Sequence, residues 1–315
     1  MSTVATPSDT RAAEPASRRS VEERAKRDAF RRRLPLLPAL IFTIILTQLP
    51  FVVALGISFM NWNSYYPDDR GFAGVQNFVD IFTDTNARNA VVVTIILTAS
   101  VVILSLLLGL GIALLLDRPF RGRGFVRTMM ITPFLVVPVA AALLWKHALY
   151  NPEYGLLNGM LTTIFGDDAP QPDWITNNPL ISIIVALVWQ WTPFMMLILL
   201  AGLQSRPLDV VEAARIDGAS SWQIFTNMTL PHLRRYIELA GLLGAIYVVK
   251  NFDHVFTITG GGLGTANLPY YIYETFYIGQ DYGRASAAGV ITVIGTLVVA
   301  SLALRTALSI FQEDK

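Results

Sequence analysis

Six long apolar segments constrain this chain more than any other feature of its sequence. A helix needs about 20 apolar residues to cross the hydrocarbon core of a bilayer. Six stretches are long enough, at residues 36–59, 90–116, 126–149, 180–203, 236–258 and 286–311. With 53% hydrophobic and 15% charged residues and a mean hydropathy of +0.48, the chain has more apolar surface than a soluble domain usually buries. We therefore predict an all-α membrane protein with six transmembrane helices.

The positions of the basic residues indicate how these helices are oriented. If both termini lie in the cytosol, nearly all Lys and Arg residues outside the apolar segments are cytosolic, and only Arg70, Arg88 and Arg284 lie on the opposite side. Short loops rich in Lys and Arg stay in the cytosol, so the prediction is N-in/C-in. The third segment is interrupted by Pro133 and Pro138, but an odd number of spans would place basic loops on both faces.

The two ends of the chain differ in composition. Residues 1–34 are rich in Ser, Ala and charge, so we expect a cytosolic, disordered basic tail there and a transmembrane domain over residues 35–315. The first apolar segment is longer than the core of a secretory signal and is expected to stay attached as a span. The outer loop at 150–179 is compatible with an ordered cap and equally with a structureless, solvated loop.

Several classes of chemistry are excluded by the residues present. The chain has no cysteine, and its three histidines, His147, His232 and His254, lack the spacing of metal ligands. No Ser-His-Asp arrangement and no Walker lysine is found, and a net charge of +1 creates no field for nucleic acid. We expect no catalytic residue, no metal site and no cofactor in this chain.

The cytosolic loop between the fourth and fifth segments has a helix-turn-helix pattern. Pro207 and Asp209 are expected to open a first helix, with Glu212 reaching back to Asp209 in a capping box, and this helix should run to Asp217. Gly218 can take a positive φ and end the helix. Ser220 or Ser221 can then cap a second helix, which we expect to stop at the Leu-Pro pair at 230–231.

By its chemistry alone, this hairpin fits two roles. It could rest on the lipid interface as an amphipathic element. It could equally bind a protein, because Ala213 and Ala214 make the first helix thin enough for another backbone to approach, and Glu212 and Arg215 place charge at its rim.

The hairpin resembles the cytosolic signature of the permease subunits of ATP-binding-cassette (ABC) importers. The matching residues are Glu212, Ala213, Ala214, Asp217, Gly218, Ala219, Leu230 and Pro231, while Met228 stands where the family more often has isoleucine. Four further stretches resemble the carbohydrate-type branch, and they are DRPFRGRGFVRT at 117–128, LWKHALYNPEYGLLN at 144–158, VWQWTPFMMLILLAGLQSRP at 188–207 and TITGGGLGTANLPYYIY at 257–273. The likeness extends over roughly residues 35–311.

The resemblance implies a type I ABC importer permease fold with a cytosolic coupling helix that sits in a groove of the ATPase. That role would fall to Glu212, Ala213, Ala214, Arg215, Asp217 and Gly218. It also implies a bacterial cytoplasmic (inner) membrane location and four kinds of partner. These are two ATPase subunits that bind ATP and Mg, a second permease that we expect to be a different chain, an external or lipid-anchored solute-binding protein, and a sugar or polyol substrate.

The resemblance places a substrate path near the fifth segment. An aromatic wall with a few directed polar groups suits a sugar, and the residues offering this chemistry are Gln190, Trp191, Tyr247, Asn251 and Asp253. Other roles fit the same residues. Tryptophans near span ends often anchor a helix at the interface, Lys250 and Asp253 can form an ion pair, and Lys146 can extend to water from its span.

A glycine run lies on the predicted outer face. Gly260, Gly261 and Gly262 are not a phosphate loop, because no Lys-Ser or Lys-Thr follows them, and the resemblance implies that they dock the solute-binding protein. The run Leu268–Tyr273 resembles polyol-carrying members of the family, while disaccharides and glycerol phosphate remain alternative substrates.

Two other functions compete with an importer permease. One is an ion-coupled secondary transporter that uses Lys250 and Asp253, and the other is a membrane assembly protein that transports nothing.

Overall fold

The structure is a computed structural model that describes residues 36–313. The basic tail predicted at residues 1–34 therefore lies outside the described residues. The chain divides into two compact units, one that ends at Val53 and one that begins at Ala54. The described part of the first unit consists of most of helix α1.

Most described residues are helical. The helices in chain order are α1 (Leu37–Ser58), α2 (Gln76–Thr83), α3 (Thr85–Asp117), α4 (Arg123–Leu135), α5 (Pro138–Leu143), α6 (Leu156–Phe165), α7 (Trp174–Asn177), α8 (Pro179–Gln204), α9 (Leu208–Ile216), α10 (Ser221–Ile224), α11 (Leu230–Val248), α12 (Asp253–Ile258), α13 (Leu268–Tyr273) and α14 (Tyr282–Glu313). Turns of π-helix continue α5, α10 and α13, at Leu144–Leu149, Phe225–Thr229 and Glu274–Ile278. Two short antiparallel strands, β1 (Met60–Asn61) and β2 (Gly71–Phe72), pair with each other.

Three helices are long and apolar enough to cross a membrane by themselves. These are α1, α3 and α8, which correspond to the first, second and fourth predicted spans. Helix α14 matches the sixth span, and its described apolar part is Tyr282–Val298. Within residues 36–313, length and composition thus support three crossings, or four if the bent pair α4 and α5 forms one span.

The third predicted span is broken. Helices α4 and α5 meet at 96°, which confirms the interruption expected from Pro133 and Pro138. Val136 and Val137 are extended, with ψ of 134° at both, because a residue before proline is pushed out of the helical region and Pro138 has no N–H to continue the ladder. The Gln190 side chain donates to the Val136 carbonyl at 2.9 Å.

The fifth predicted span is also interrupted. Helix α11 ends at Val248 and α12 begins at Asp253, so residues 249–252 leave the helix. A buried Asn267 side chain, 1% exposed, donates to the Asn251 carbonyl at the break. The interruption is possible in an apolar environment because another part of the chain supplies the missing hydrogen bond.

Helices α3 and α8 form the centre of the second unit. A Cβ on Gly109 of α3 would lie 2.9 Å from the Met196 backbone nitrogen, so the two backbones approach to a distance that only glycine permits. Small residues allow this packing between membrane helices, where dispersion contacts rather than hydrophobic burial hold helices together. The fully buried apolar side chains of α3, α8 and the start of α11 include Leu97, Val101, Ile183, Leu187, Met195, Met196, Leu199, Leu200, Leu203 and Leu233.

The predicted outer loop at 150–179 is ordered. It contains α6 and α7, and the buried Asn158 side chain donates to the Pro152 carbonyl at 3.0 Å and accepts from the Trp174 indole at 2.7 Å. Asp173 caps α7, and its hydrogen bonds with Thr176 lower the pKa of its carboxyl group. These contacts confirm the ordered alternative over the structureless one.

An ion pair joins the first turns of α3 and α14. Arg284 Nη2 lies 2.7 Å from Asp84 Oδ2, and Tyr271 Oη donates to the same oxygen at 2.8 Å. Burial and the hydrogen bond to Asp84 raise the pKa of Tyr271 to about 12. Asp84 also caps α3 by accepting from the Asn86 N–H at 2.9 Å. One carboxylate thus holds three elements together.

We expect Asp84→Asn to lower the free energy of unfolding by about 2 kcal/mol, because the change leaves the guanidinium of Arg284 unpaired in a partly buried position. Thermal unfolding in detergent measures the effect. Asp80→Asn is the matched control, since Asp80 is bonded only locally, to Gln76. Equal melting temperatures for the two variants would contradict a stabilising role for the ion pair.

Candidate functional site

The loop between the fourth and fifth predicted spans folds as the predicted helical hairpin. Helix α9 ends at Ile216, Asp217 follows as its C-cap, and Gly218 has a φ of +86°. Helix α10 begins with a complete capping box, in which Ser220 and Gln223 bond to each other's backbone N–H groups. Gly218 and Ser220 thus act as predicted.

Two details of the hairpin differ from the prediction. Helix α9 begins after Pro207, which has no side-chain acceptor, and Asp209 lies within the first turn, so the predicted capping box between Asp209 and Glu212 is wrong. The Leu230–Pro231 pair does not end the second helix. Helix α10 continues through the π turn at Phe225–Thr229 into α11, and Pro231 is the second residue of α11.

The hairpin leaves charged and apolar side chains exposed together. Ile216 is 86% exposed and Trp222 is 71% exposed. Of the six residues predicted for coupling, Ala214 is half-buried and the other five are exposed, namely Glu212, Ala213, Arg215, Asp217 and Gly218. The hairpin therefore presents a mixed apolar and acidic surface without a covering element in the described chain.

An aromatic wall connects α4, α8 and α11. Trp191 and Tyr247 stack with ring centroids 5.4 Å apart and an interplanar angle of 30°. Phe134 and Phe194 flank Trp191 at 5.6 and 5.8 Å. Lys250 Nζ lies 4.8 Å from the centroid of the Tyr247 ring, where the ring quadrupole attracts a cation. The structure thus brings Trp191 and Tyr247 together, places Lys250 beside them, and adds Phe134 and Phe194, which the sequence did not indicate.

The other residues predicted for the substrate path have different surroundings. Gln190 is 4% exposed and holds the kink at Val136, so its amide faces the protein interior. Asn251 lies at the break after α11, where its side-chain nitrogen is 3.2 Å from His254 Nδ1. Asp253 opens α12 and is half-buried. Asn251 and Asp253 lie one and three residues after Lys250, at the end of the aromatic wall.

The two lysines of the predicted third and fifth spans do not take the alternative roles that their chemistry allowed. Among the residues that the structure describes, three ion pairs are formed and none joins Lys250 to Asp253, since Lys250 turns to Tyr247 instead. Lys146 does not extend to water, because its Nζ donates to the Thr257 carbonyl at 2.7 Å. Lys146 therefore bridges the π turn after α5 to α12.

The glycine run forms a tight turn, as expected. Gly260 and Gly261 have φ of +61° and +68°. A Cβ on Gly261 would lie 2.0 Å from the Tyr270 ring, so the turn also packs against α13. Thr265 Oγ1 donates to the Gly262 carbonyl at 2.7 Å and fixes the far side of the turn.

Comparison with known proteins decides the family. Residues 102–308 match the family described as "Binding-protein-dependent transport system inner membrane component". The chain belongs to this family. It is therefore a multi-pass inner membrane protein and a transport subunit rather than an enzyme, with ATP hydrolysis on other subunits.

The permease is similar to curated transport proteins over most of its length. It is 36% identical over 269 residues to the probable ABC transporter permease protein y4oQ of Sinorhizobium fredii, covering 84% of this chain and 86% of that protein. It is 34% identical over 262 residues to the trehalose transport system permease protein SugA of Mycobacterium tuberculosis, covering 83% of each. Its fold matches a chain of a bacterial ABC transporter that imports alginate, with a TM-score of 0.77, 23% identity, and coverage of 92% of this chain and 99% of that one.

Sequence reasoning missed two sets of functional candidates in this permease. Asn267 caps α13 and also bonds to the break at Asn251, and its position before Leu-Pro is a capping signal that could have been found. Arg206 and Asp117 form an ion pair at 2.6 Å. No local signal pairs these two residues, because 89 positions separate them.

We expect Gly261→Ala to destabilise the permease more than Gly264→Ala. Both glycines have positive φ, which costs about 1–2 kcal/mol for a residue with a Cβ, but open space surrounds Gly264 and the Tyr270 ring lies against Gly261. The melting temperature should fall by about 2–4 °C for Gly264→Ala and further for Gly261→Ala. A smaller shift for Gly261→Ala would show that the turn does not pack on Tyr270 in the membrane.

Proposed function

We propose that this permease is a transmembrane subunit of an ATP-driven importer that moves a sugar or polyol delivered by an external or lipid-anchored solute-binding protein. The proposal rests mainly on the exposed two-helix hairpin, which has Gly218 at positive φ between its helices. This hairpin lies within the residues that match the family. The relative named for trehalose transport supports a carbohydrate substrate.

The surface of the hairpin favours a protein partner over lipid. Its first helix is only nine residues long, and Asp209, Glu212 and Asp217 outnumber Arg215 on or beside it. An interfacial helix usually has a basic polar face, because the cytosolic leaflet is negatively charged. A short acidic helix with an exposed Ile216 suits a groove on the ATPase instead, and we assign Glu212–Gly218 to this coupling role.

The remaining assembly follows from the same proposal. Six crossings with both termini in the cytosol place the hairpin on the ATP side, provided that α4 with α5 and α11 with α12 each count as one broken crossing. Two ATPase subunits would bind ATP and Mg, and a second permease, which we infer to be a different chain, would complete the path. Among residues 36–313, no group of His, Asp or Glu could hold a metal.

The aromatic wall is the proposed contact for the substrate. A sugar has an apolar face and a row of hydroxyl groups, so it can stack on Trp191 or Tyr247 and bond to neighbouring polar groups. Lys250, Asn251 and Asp253 supply these groups where α11 breaks. The nearby turn at 260–262 is proposed to dock the solute-binding protein.

The two competing functions lack support. An ion-coupled transporter would use Lys250 and Asp253 together, yet Lys250 lies over Tyr247. An assembly protein without transport activity does not fit a family of transport components. Proteoliposomes distinguish all three, since only the importer needs ATP, the ATPase and the binding protein at once.

We expect Glu212→Ala and Gly218→Pro to uncouple ATP hydrolysis from uptake while the protein still inserts. Switching a two-state protein from 1:99 to 99:1 takes about 5.5 kcal/mol of differential contact, and the small hairpin surface must transmit much of it. Gly218→Asn is the matched control, because asparagine tolerates positive φ. Uptake in proteoliposomes is the measurement, and normal uptake by both test variants would contradict the coupling role.

We expect Trp191→Ala and Tyr247→Ala to lower the uptake rate about tenfold, since a lost aromatic contact is worth roughly 1 kcal/mol or more. Trp191→Phe keeps a ring and should retain most of the rate. Stimulation of ATP hydrolysis by the binding protein should persist in all three variants. If the alanine variants transport substrate with unchanged kcat and KM, the wall is not part of the path.

A further inference from the structure

The guanidinium of Arg206 joins the two chain segments at the base of the coupling hairpin. We define the coupling hairpin as residues 207–228, and its neck as the two flanking positions, Arg206 and Thr229. The chain enters the hairpin directly after Arg206 and leaves it at Thr229, the last residue of the π turn. Arg206 Nη1 donates to Thr229 Oγ1 at 2.8 Å, and Arg206 Nε donates to the Leu203 carbonyl at 2.9 Å. The two chain segments that carry the hairpin are therefore bonded to each other at its base.

The same guanidinium connects the neck to α3. Arg206 Nη2 lies 2.6 Å from an oxygen of Asp117, which is the last residue of α3. The Arg206 and Asp117 side chains are only 14% and 23% exposed, so salt screens this pair less than a surface pair. Charge-assisted bonds of this length are among the stronger hydrogen bonds in proteins.

A second set of contacts stiffens the same junction. Ser205 Oγ lies 3.1 Å from His232 Nε2 and 2.8 Å from Tyr236 Oη, which joins the end of α8 to α11. A Cβ on Gly202 would lie 2.6 Å from the Tyr236 ring, so α8 and α11 are in close contact here. The inner ends of α3, α8 and α11 therefore meet at the neck.

We propose that Arg206, held by Asp117 and Thr229, is a positioning residue that makes the coupling hairpin move with α3, α8 and α11 as one body. Without it, a force on the hairpin would bend the two single-chain connections at Pro207 and at the π turn. The planar fork of arginine reaches three acceptors at once, whereas a lysine amine is a single point charge. The inference rests on the proposed coupling role of the hairpin.

The test uses the complete complex in proteoliposomes, with its ATPase, second permease and binding protein, and measures substrate transported per ATP hydrolysed. Arg206→Lys and Asp117→Asn should lower this ratio about fivefold or more, the size of a typical coupling between sites, while hydrolysis stays within about twofold. Thr229→Val removes one hydrogen bond with little change of shape and should act in the same direction. Arg234→Gln is the control, because it removes the exposed pair with Glu238 on α11 and should leave the ratio unchanged.

A distance measurement separates positioning from simple stability. The chain has no cysteine, so nitroxide labels can be placed at cysteines introduced at Leu115 on α3 and Ser221 on the hairpin, both exposed. The distance distribution should stay narrow during turnover in the wild type and broaden in Arg206→Lys, at temperatures where both are folded.

The outcomes separate this inference from the proposed function. If the wild type shows ATP-dependent uptake, and both the transport ratio and the distance distribution are unchanged in Arg206→Lys, Asp117→Asn and Thr229→Val, the positioning role is overturned and the importer stands. If the wild type shows no ATP-dependent uptake, the proposed function fails, and the positioning role fails with it.

Discussion

The structure depends on one constraint, which is that every backbone polar group in the lipid must find a partner within the protein. Helical bonds satisfy this in α1, α3 and α8, but the third and fifth predicted spans are interrupted. Side chains from elsewhere supply partners there. Gln190 bonds to the Val136 carbonyl, Asn267 to the Asn251 carbonyl and Lys146 to the Thr257 carbonyl. These bonds allow an apolar helical chain to bend.

The bends place the functional surfaces of the permease. The break at residues 249–252 brings Lys250, Asn251 and Asp253 to the end of an aromatic wall that begins with the Trp191–Tyr247 stack. On the opposite, proposed inner side, α8 ends where the coupling hairpin begins, and α11 begins where the hairpin returns. The proposed substrate path and the proposed ATPase contact therefore lie on the same two helices, which would give a direct mechanical route between them.

Local sequence patterns predicted the hairpin well and its connections poorly. Gly218 and Ser220 act over three or four residues, so their roles were visible in the sequence. The helix begins after Pro207, as expected, but the capping box between Asp209 and Glu212 failed because Asp209 lies in the first turn rather than at the N-cap. Lys146 was misjudged for a different reason, since its partner at Thr257 lies 111 positions away and belongs to another helix.

The sequence by itself determined that this is a helical membrane protein of a transport family, because apolar length, basic loops and a short helix-turn-helix pattern are all local properties. Only the tertiary structure decided which polar groups pair. The ion pair of Arg206 with Asp117, and the hydrogen bond from Lys146 to the Thr257 carbonyl, follow from which helix faces come together. An apolar helix can turn many faces toward its neighbours at similar energy, so close contacts such as Gly109 against Met196 select the arrangement.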